Sequence, residues 1–74
     1  MRAETEEFAA GHGIDYQTVH DVMTDYVFNG NISDEAIRQK LVPYHLGLLK
    51  TTVLMRETKT FVEETYLKYK AEGE

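Results

Sequence analysis

The chain writes the same helix-start device twice, and that repetition limits its fold more than any other feature. Ile14 precedes Asp15, a good N-cap, and Val19 follows four residues later. Ile32 precedes Ser33, another N-cap, and Ile37 follows four residues later. In each case a polar cap can hold the free backbone N–H groups of a first turn, while the flanking apolar pair staples the incoming chain to the helix. Glycine punctuates the ends. Gly11-His12-Gly13 closes a helix-forming stretch at residues 2–10, and Gly30 closes the helix that Asp15 opens. Glycine tolerates the left-handed geometry found just past helix C-termini. The spacing therefore predicts helices over 2–10, 15–29 and 33–42.

Between these signals the apolar residues recur at helical intervals. Tyr16, Val19, Met23 and Tyr26, with Val22 and Val27 alongside, make one face of the second helix. Asp34 and Glu35 open the third helix, where acids suit the helix dipole, and Ile37 and Leu41 point inward. Pro43 ends that helix or opens the next, and it pushes Val42 out of helical geometry. The remaining segment, 44–71, reads as one long helix. Tyr44, Leu48, Met55, Val62, Tyr66 and Tyr69 fall on one face of it, and the arc is wide enough for a helix buried among several neighbours. Gly47, the Thr51-Thr52-Val53 cluster and Thr58-Lys59-Thr60 are its weak points, and a break between Leu46 and Lys50 is compatible with them. The expectation is a single all-α domain over 1–74. It is a small bundle of four to five helices with a peripheral first helix and a long C-terminal one.

At 74 residues the chain buries only about 60% of its unfolded surface, so its stability margin is thin. With no cysteine it has neither a disulfide nor a thiolate zinc site to staple it. The fold must rest on its core, on a partner, or on both. The longest apolar run, residues 46–49, is far below the roughly 20 residues a membrane span needs. Residues 1–8 are acidic and lack the apolar region of a signal peptide. No membrane association and a cytoplasmic setting are expected.

Charge is divided unevenly. The net value is −5. Residues 1–35 carry one base against eight acids, a balance of −7, while residues 38–59 carry five bases against one acid, or +4. The five are Arg38, Lys40, Lys50, Arg56 and Lys59, candidates for contact with phosphates or with an acidic partner. A helix–turn–helix layout is loosely present in the Asp15–Asn29 helix, the Gly30 turn and the Ser33–Leu41 helix. Its second helix, however, begins with two acids that would meet phosphates badly. Charge on a solvated face is the simpler reading.

Catalytic and cofactor chemistry find little support. His12 lies between glycines, His20 has Thr24 at i+4, and His45 follows Pro43-Tyr44, so no two histidines have metal-ligand spacing. Ser33 is the only serine and is better explained as a cap. The pairs Glu6-Glu7, Asp34-Glu35 and Glu63-Glu64 read as solvated carboxylates, with Glu64 and Lys68 in the favourable i,i+4 order. Gly11 and Gly13 form a GxG only, far short of a phosphate loop. No catalytic residue, cofactor, metal or small-molecule substrate is expected.

The apolar surplus points elsewhere. Leu46, Leu48, Leu49, Val53 and Leu54 offer more apolar surface than so small a fold hides, and large exposed apolar patches mark interaction sites. Tyr16 and Tyr26 suit core packing, and Tyr66 and Tyr69 suit an interface.

From Ile14 to about Tyr66 the chain resembles the helical C-terminal region of the motor (R) subunit of type I restriction enzymes. The resemblance is carried by Tyr26-Val27-Phe28-Asn29-Gly30, the short acid-started helix with Ile37 and Leu41, Leu48-Leu49-Lys50, Val53-Leu54 and Phe61-Val62-Glu63. Pro43-Tyr44-His45-Leu46 and Thr51-Thr52 depart from it, and the family's nuclease and ATPase motifs lie elsewhere in the parent. The resemblance implies a non-catalytic module that docks a DNA-translocating motor to its methyltransferase and specificity core. DNA would be met through the larger assembly. Leu48, Leu49, Arg56, Phe61 and Tyr66 are the expected partner-binding residues, with self-association as a further possibility. A small phage- or plasmid-type regulator using the basic 38–59 segment on nucleic acid is the alternative.

Overall fold

The structure is a computed structural model that describes residues 2–30 and 32–73. Four helices follow in order: α1 (Arg2–Gly11), α2 (Tyr16–Asn29), α3 (Asp34–Leu41) and α4 (Leu48–Gly73). A 3₁₀ turn, Val42–Tyr44, joins α3 to the approach to α4. The all-α expectation holds, and so does the long last helix. At 1.5 Å per residue the 26 residues of α4 span about 39 Å, which matches the longest dimension of the molecule, 40 Å.

The boundaries arise largely where the local chemistry puts them. At the end of α1, Gly13 takes φ +70°, Ile14 N–H donates to the Ala9 carbonyl at 3.0 Å, and Gly13 N–H to that of Ala10 at 3.3 Å. This is the Schellman arrangement, and its apolar partners Ile14 and Ala9 are both buried. At the end of α2, Gly30 takes φ +73° and donates to the Tyr26 carbonyl at 2.8 Å. Ser33 caps α3 by accepting the Ala36 N–H at 3.1 Å. Both staples close, since Ile14, Val19, Ile32 and Ile37 all belong to one buried cluster.

Three local expectations are corrected. Asp15 has the extended backbone of an N-cap, but its side chain makes no cap hydrogen bond. Its N–H donates instead to the Tyr44 hydroxyl at 2.9 Å, and the same hydroxyl meets Thr18 Oγ1 at 2.8 Å. A distant tyrosine thus braces the start of α2. Val42 keeps helical angles, φ −52° and ψ −45°, in spite of Pro43. The turn there tightens to 3₁₀ geometry, and His45 in the left-handed region closes it, donating to the Val42 carbonyl at 3.1 Å. The last helix starts at Leu48, not at residue 44, with Thr51 N–H bonded to the Gly47 carbonyl at 2.9 Å. It then runs unbroken through both threonine-rich stretches.

The buried face of α4 also differs from expectation. Its innermost residues are Leu54, Thr58, Val62 and Thr65, while Leu48 and Tyr69 are exposed. Helices α2 and α3 pack against α4, and α1 reaches it only through side chains. Neighbours on one side cover a narrow stripe, not the wide arc. Val19 and Val22 of α2 and Ile37 and Leu41 of α3 supply the opposing apolar surface.

Candidate functional site

The first turns of α4 present apolar side chains to solvent. Leu48 is 80% exposed and Leu49 77%, and Val53, one turn further on, is about half exposed. Leu49 and Val53, with Leu46, Lys50, Leu54 and Glu57, line a shallow groove of about 430 Å³ that runs against Gly11 and His12 at the end of α1, and Leu48 stands outside it. Gly47, just before α4, has nothing within contact distance of the position a Cβ would take.

His12, on the wall of this groove, ends a stack of rings that continues away from it. His12 lies on Phe8 with centroids 4.1 Å apart, and Phe8 lies on Phe61 at 4.3 Å. His12 Nδ1 is 2.8 Å from the Phe8 carbonyl and Nε2 is 2.5 Å from Glu57 Oε2. Both ring nitrogens face acceptors, and a ring with one proton can donate to only one of them. Phe61 is therefore occupied inside the chain, holding α1 to α4. Tyr66 is occupied likewise, edge-on to Tyr26 with centroids 5.4 Å apart. Of the five expected partner-binding residues, Leu48, Leu49 and Arg56 stand exposed, and Phe61 and Tyr66 are half-buried in internal ring contacts.

The basic segment is partly consumed by the acidic half. Lys40 Nζ is 3.0 Å from Asp25 and Lys59 Nζ is 3.6 Å from Asp34. Arg38 binds Glu35 one turn earlier, Nε at 3.1 Å and Nη2 closer still. Glu35 also accepts from Gln39, and this bond together with Arg38 holds its carboxyl below the usual range. Lys68 turns to Glu4 at 3.5 Å, not to Glu64. Surface pairs of this kind add little stability, but they remove positive charge from the outer surface. Among the described residues, Lys50 and Arg56 are the two bases of the 38–59 segment with no ion pair. No three His, Asp or Glu among the described residues gather as a metal site requires. No helix among them is long and apolar enough to cross a membrane.

A second apolar surface escaped the sequence reading. Phe28 is 81% exposed at the end of α2, next to the half-exposed Val27. They border a cleft of about 300 Å³ with Tyr16, His20 and Met23, and Arg2 lies over the Tyr16 ring at 4.5 Å. The available signal was position. In the last turn before the Gly30 stop Tyr26 packs inward on Tyr66, and Val27 and Phe28 fall on the side turned to solvent. Leu67, 62% exposed on α4, was missed for a different reason, because it lies off the face expected to be buried.

Compared with protein families, with curated proteins and with solved structures, the chain matches none.

Proposed function

We propose that this chain is a non-catalytic helical protein-interaction module whose docking surface is the outer side of α4, centred on its first turns. The observation that carries the reading is the exposure of Leu48, Leu49 and Val53 together in a chain with so small a core. A 74-residue fold gains stability chiefly from apolar burial, and leucines left in water at a helix start contribute nothing to it. A patch of this kind is a feature of interaction sites. The pairing of Arg38, Lys40 and Lys59 with acids of the same chain leaves little charge for phosphates, and that favours a protein partner over nucleic acid. The resemblance to the motor subunit of type I restriction enzymes suggests an assembly of the methyltransferase–specificity kind as the setting.

The test is site-specific photo-crosslinking in the native host. A photoreactive side chain at Leu49 should give a discrete adduct of higher mass, and the same probe at the exposed Gln39 of α3 should not. No adduct at Leu49 would sink the proposal. So would tight binding of the free chain to duplex DNA that weakens steeply with salt.

A further inference from the structure

The outer face of α4 carries a second periodicity. Val53, Thr60 and Leu67 are spaced by sevens, and Leu49, Arg56 and Glu63 form a parallel row, also spaced by sevens. The two rows interleave as the a and d positions of a heptad seam, lying away from the stripe of Leu54, Thr58 and Val62 that faces the core. Every member of the seam is exposed except Glu63, which is half-buried. From Leu49 to Leu67 it covers about 27 Å of helix.

The charges on this seam are not distributed at random. Its N-terminal half holds Arg56, flanked by Lys50, and its C-terminal half holds Glu63, flanked by Glu64, while Glu57 and Lys59 alongside are engaged within the chain by His12 and Asp34. None of Lys50, Arg56, Glu63 and Glu64 has an ion pair within the chain among the described residues. Such a pattern is complementary to its own reverse. Two copies laid antiparallel about a point near residue 58 would set Leu49 of one against Leu67 of the other, at both ends of the contact. Arg56 would face Thr60 of the second copy and lie about 4.5 Å along the axis from its Glu63, within reach of both long side chains, twice by symmetry, and Lys50 would lie near its Glu64. A parallel pair would set Arg56 on Arg56 and Glu63 on Glu63, which like charges oppose.

Resting on the interaction-module reading, we propose that the occupant of this face is a second copy of the chain, docked antiparallel along α4. The contact is one helix pair with polar residues in its seam, so its area falls in the range of weak complexes, below about 1,200 Å². Dimerisation is therefore expected at roughly 10–1,000 µM, and the polar seam positions fix the register at the expense of affinity.

Sedimentation equilibrium of the full chain from about 10 µM to about 1 mM tests this by the approach to twice the 8.5 kDa monomer mass. Arg56→Glu alone and Glu63→Arg alone should each weaken association about tenfold, because each converts two attractive pairs into repulsive ones. An equimolar mixture of the two variants should recover the wild-type affinity. Leu67→Glu should abolish association while the thermal melt stays unchanged. A wild type that is monomeric at 1 mM overturns the proposal, as does a mixture no tighter than its components. A mixture much tighter than wild type indicates parallel pairing and also overturns it. A monomeric wild type that still gives a crosslinked adduct of other mass at Leu49 removes self-docking and leaves the module reading standing. The absence of any adduct removes both.

Discussion

The two faces of α4 invert the usual assignment of residue types. Its inner face places Thr58 and Thr65 among the buried residues beside Leu54 and Val62, while its outer face leaves Leu49, Val53 and Leu67 in water. Thr58 is 1% exposed, and its hydroxyl has no hydrogen-bond partner among the described residues. A buried hydroxyl without a partner costs about 1–3 kcal/mol, so the inner face is less stabilising than its burial suggests. Threonines inward and leucines outward make the inner face less stabilising than an all-apolar stripe would be. Helices α2 and α3 cover the inner face of α4, and no helix among the described residues covers its outer face.

The largest expected effect comes from the inner face. Val62→Ala empties a fully buried position and should cost about 2 kcal/mol, read as a lowered midpoint in urea. In so small a domain that is a substantial part of the total stability. If the loss were negligible, α4 would not be held by this stripe and the contrast between its faces would fail. Next comes Thr58→Val, which keeps the shape and removes the orphan hydroxyl. It should stabilise by about 1 kcal/mol, near 5 °C in Tm for a domain of this size. A lowered Tm would mean that the hydroxyl serves the fold, and the inner face would then be an ordinary core.

The two capped helix starts allow a finer comparison, between a side chain that caps and one that does not. Ser33→Ala removes a side-chain bond to Ala36 and should cost about 1 kcal/mol in thermal unfolding. Asp15→Ala should cost clearly less, because the Asp15 side chain caps nothing and its backbone bond to Tyr44 survives the change. The smallest effect belongs to the outer face of α4. Leu49→Ser, measured at micromolar concentration where the free chain dominates, should shift stability by no more than about 0.5 kcal/mol. A large loss there would place Leu49 in the core's service and remove it from the docking surface.

Much of the candidate site was legible in the sequence. Leu48 and Leu49 declared themselves by count, as apolar residues beyond what a small core hides, and Arg56 by its place in the basic segment. The ring contacts of Phe61 and Tyr66 were not legible, because a partner ring cannot be seen from one element. Phe8 and Tyr26, which cover them, lie 53 and 40 residues away along the chain. Lys40 and Lys59 looked like contacts for an outside partner for the same reason, since Asp25 and Asp34 come from other helices. The split between an acidic first half and a basic centre was visible, and the structure joins the two through surface ion pairs between helices at Lys40 and Lys59.

What the sequence determined alone was the punctuation. Gly13 and Gly30 take left-handed angles, Ser33 caps, and both isoleucine staples close. Each of these effects acts within a turn or two, among atoms whose distances are fixed by the local chain. What only the tertiary structure decided was which side of α4 faces inward. Its apolar residues wrap around much of the helix, and the arc through Leu48, Met55 and Val62 offers as much apolar surface as the stripe through Leu54, Thr58 and Val62. Shape decides between them. The valines of α2 and the branched residues of α3 cluster with Leu54 and Val62, and the leucines at residues 48, 49 and 67 stay in water.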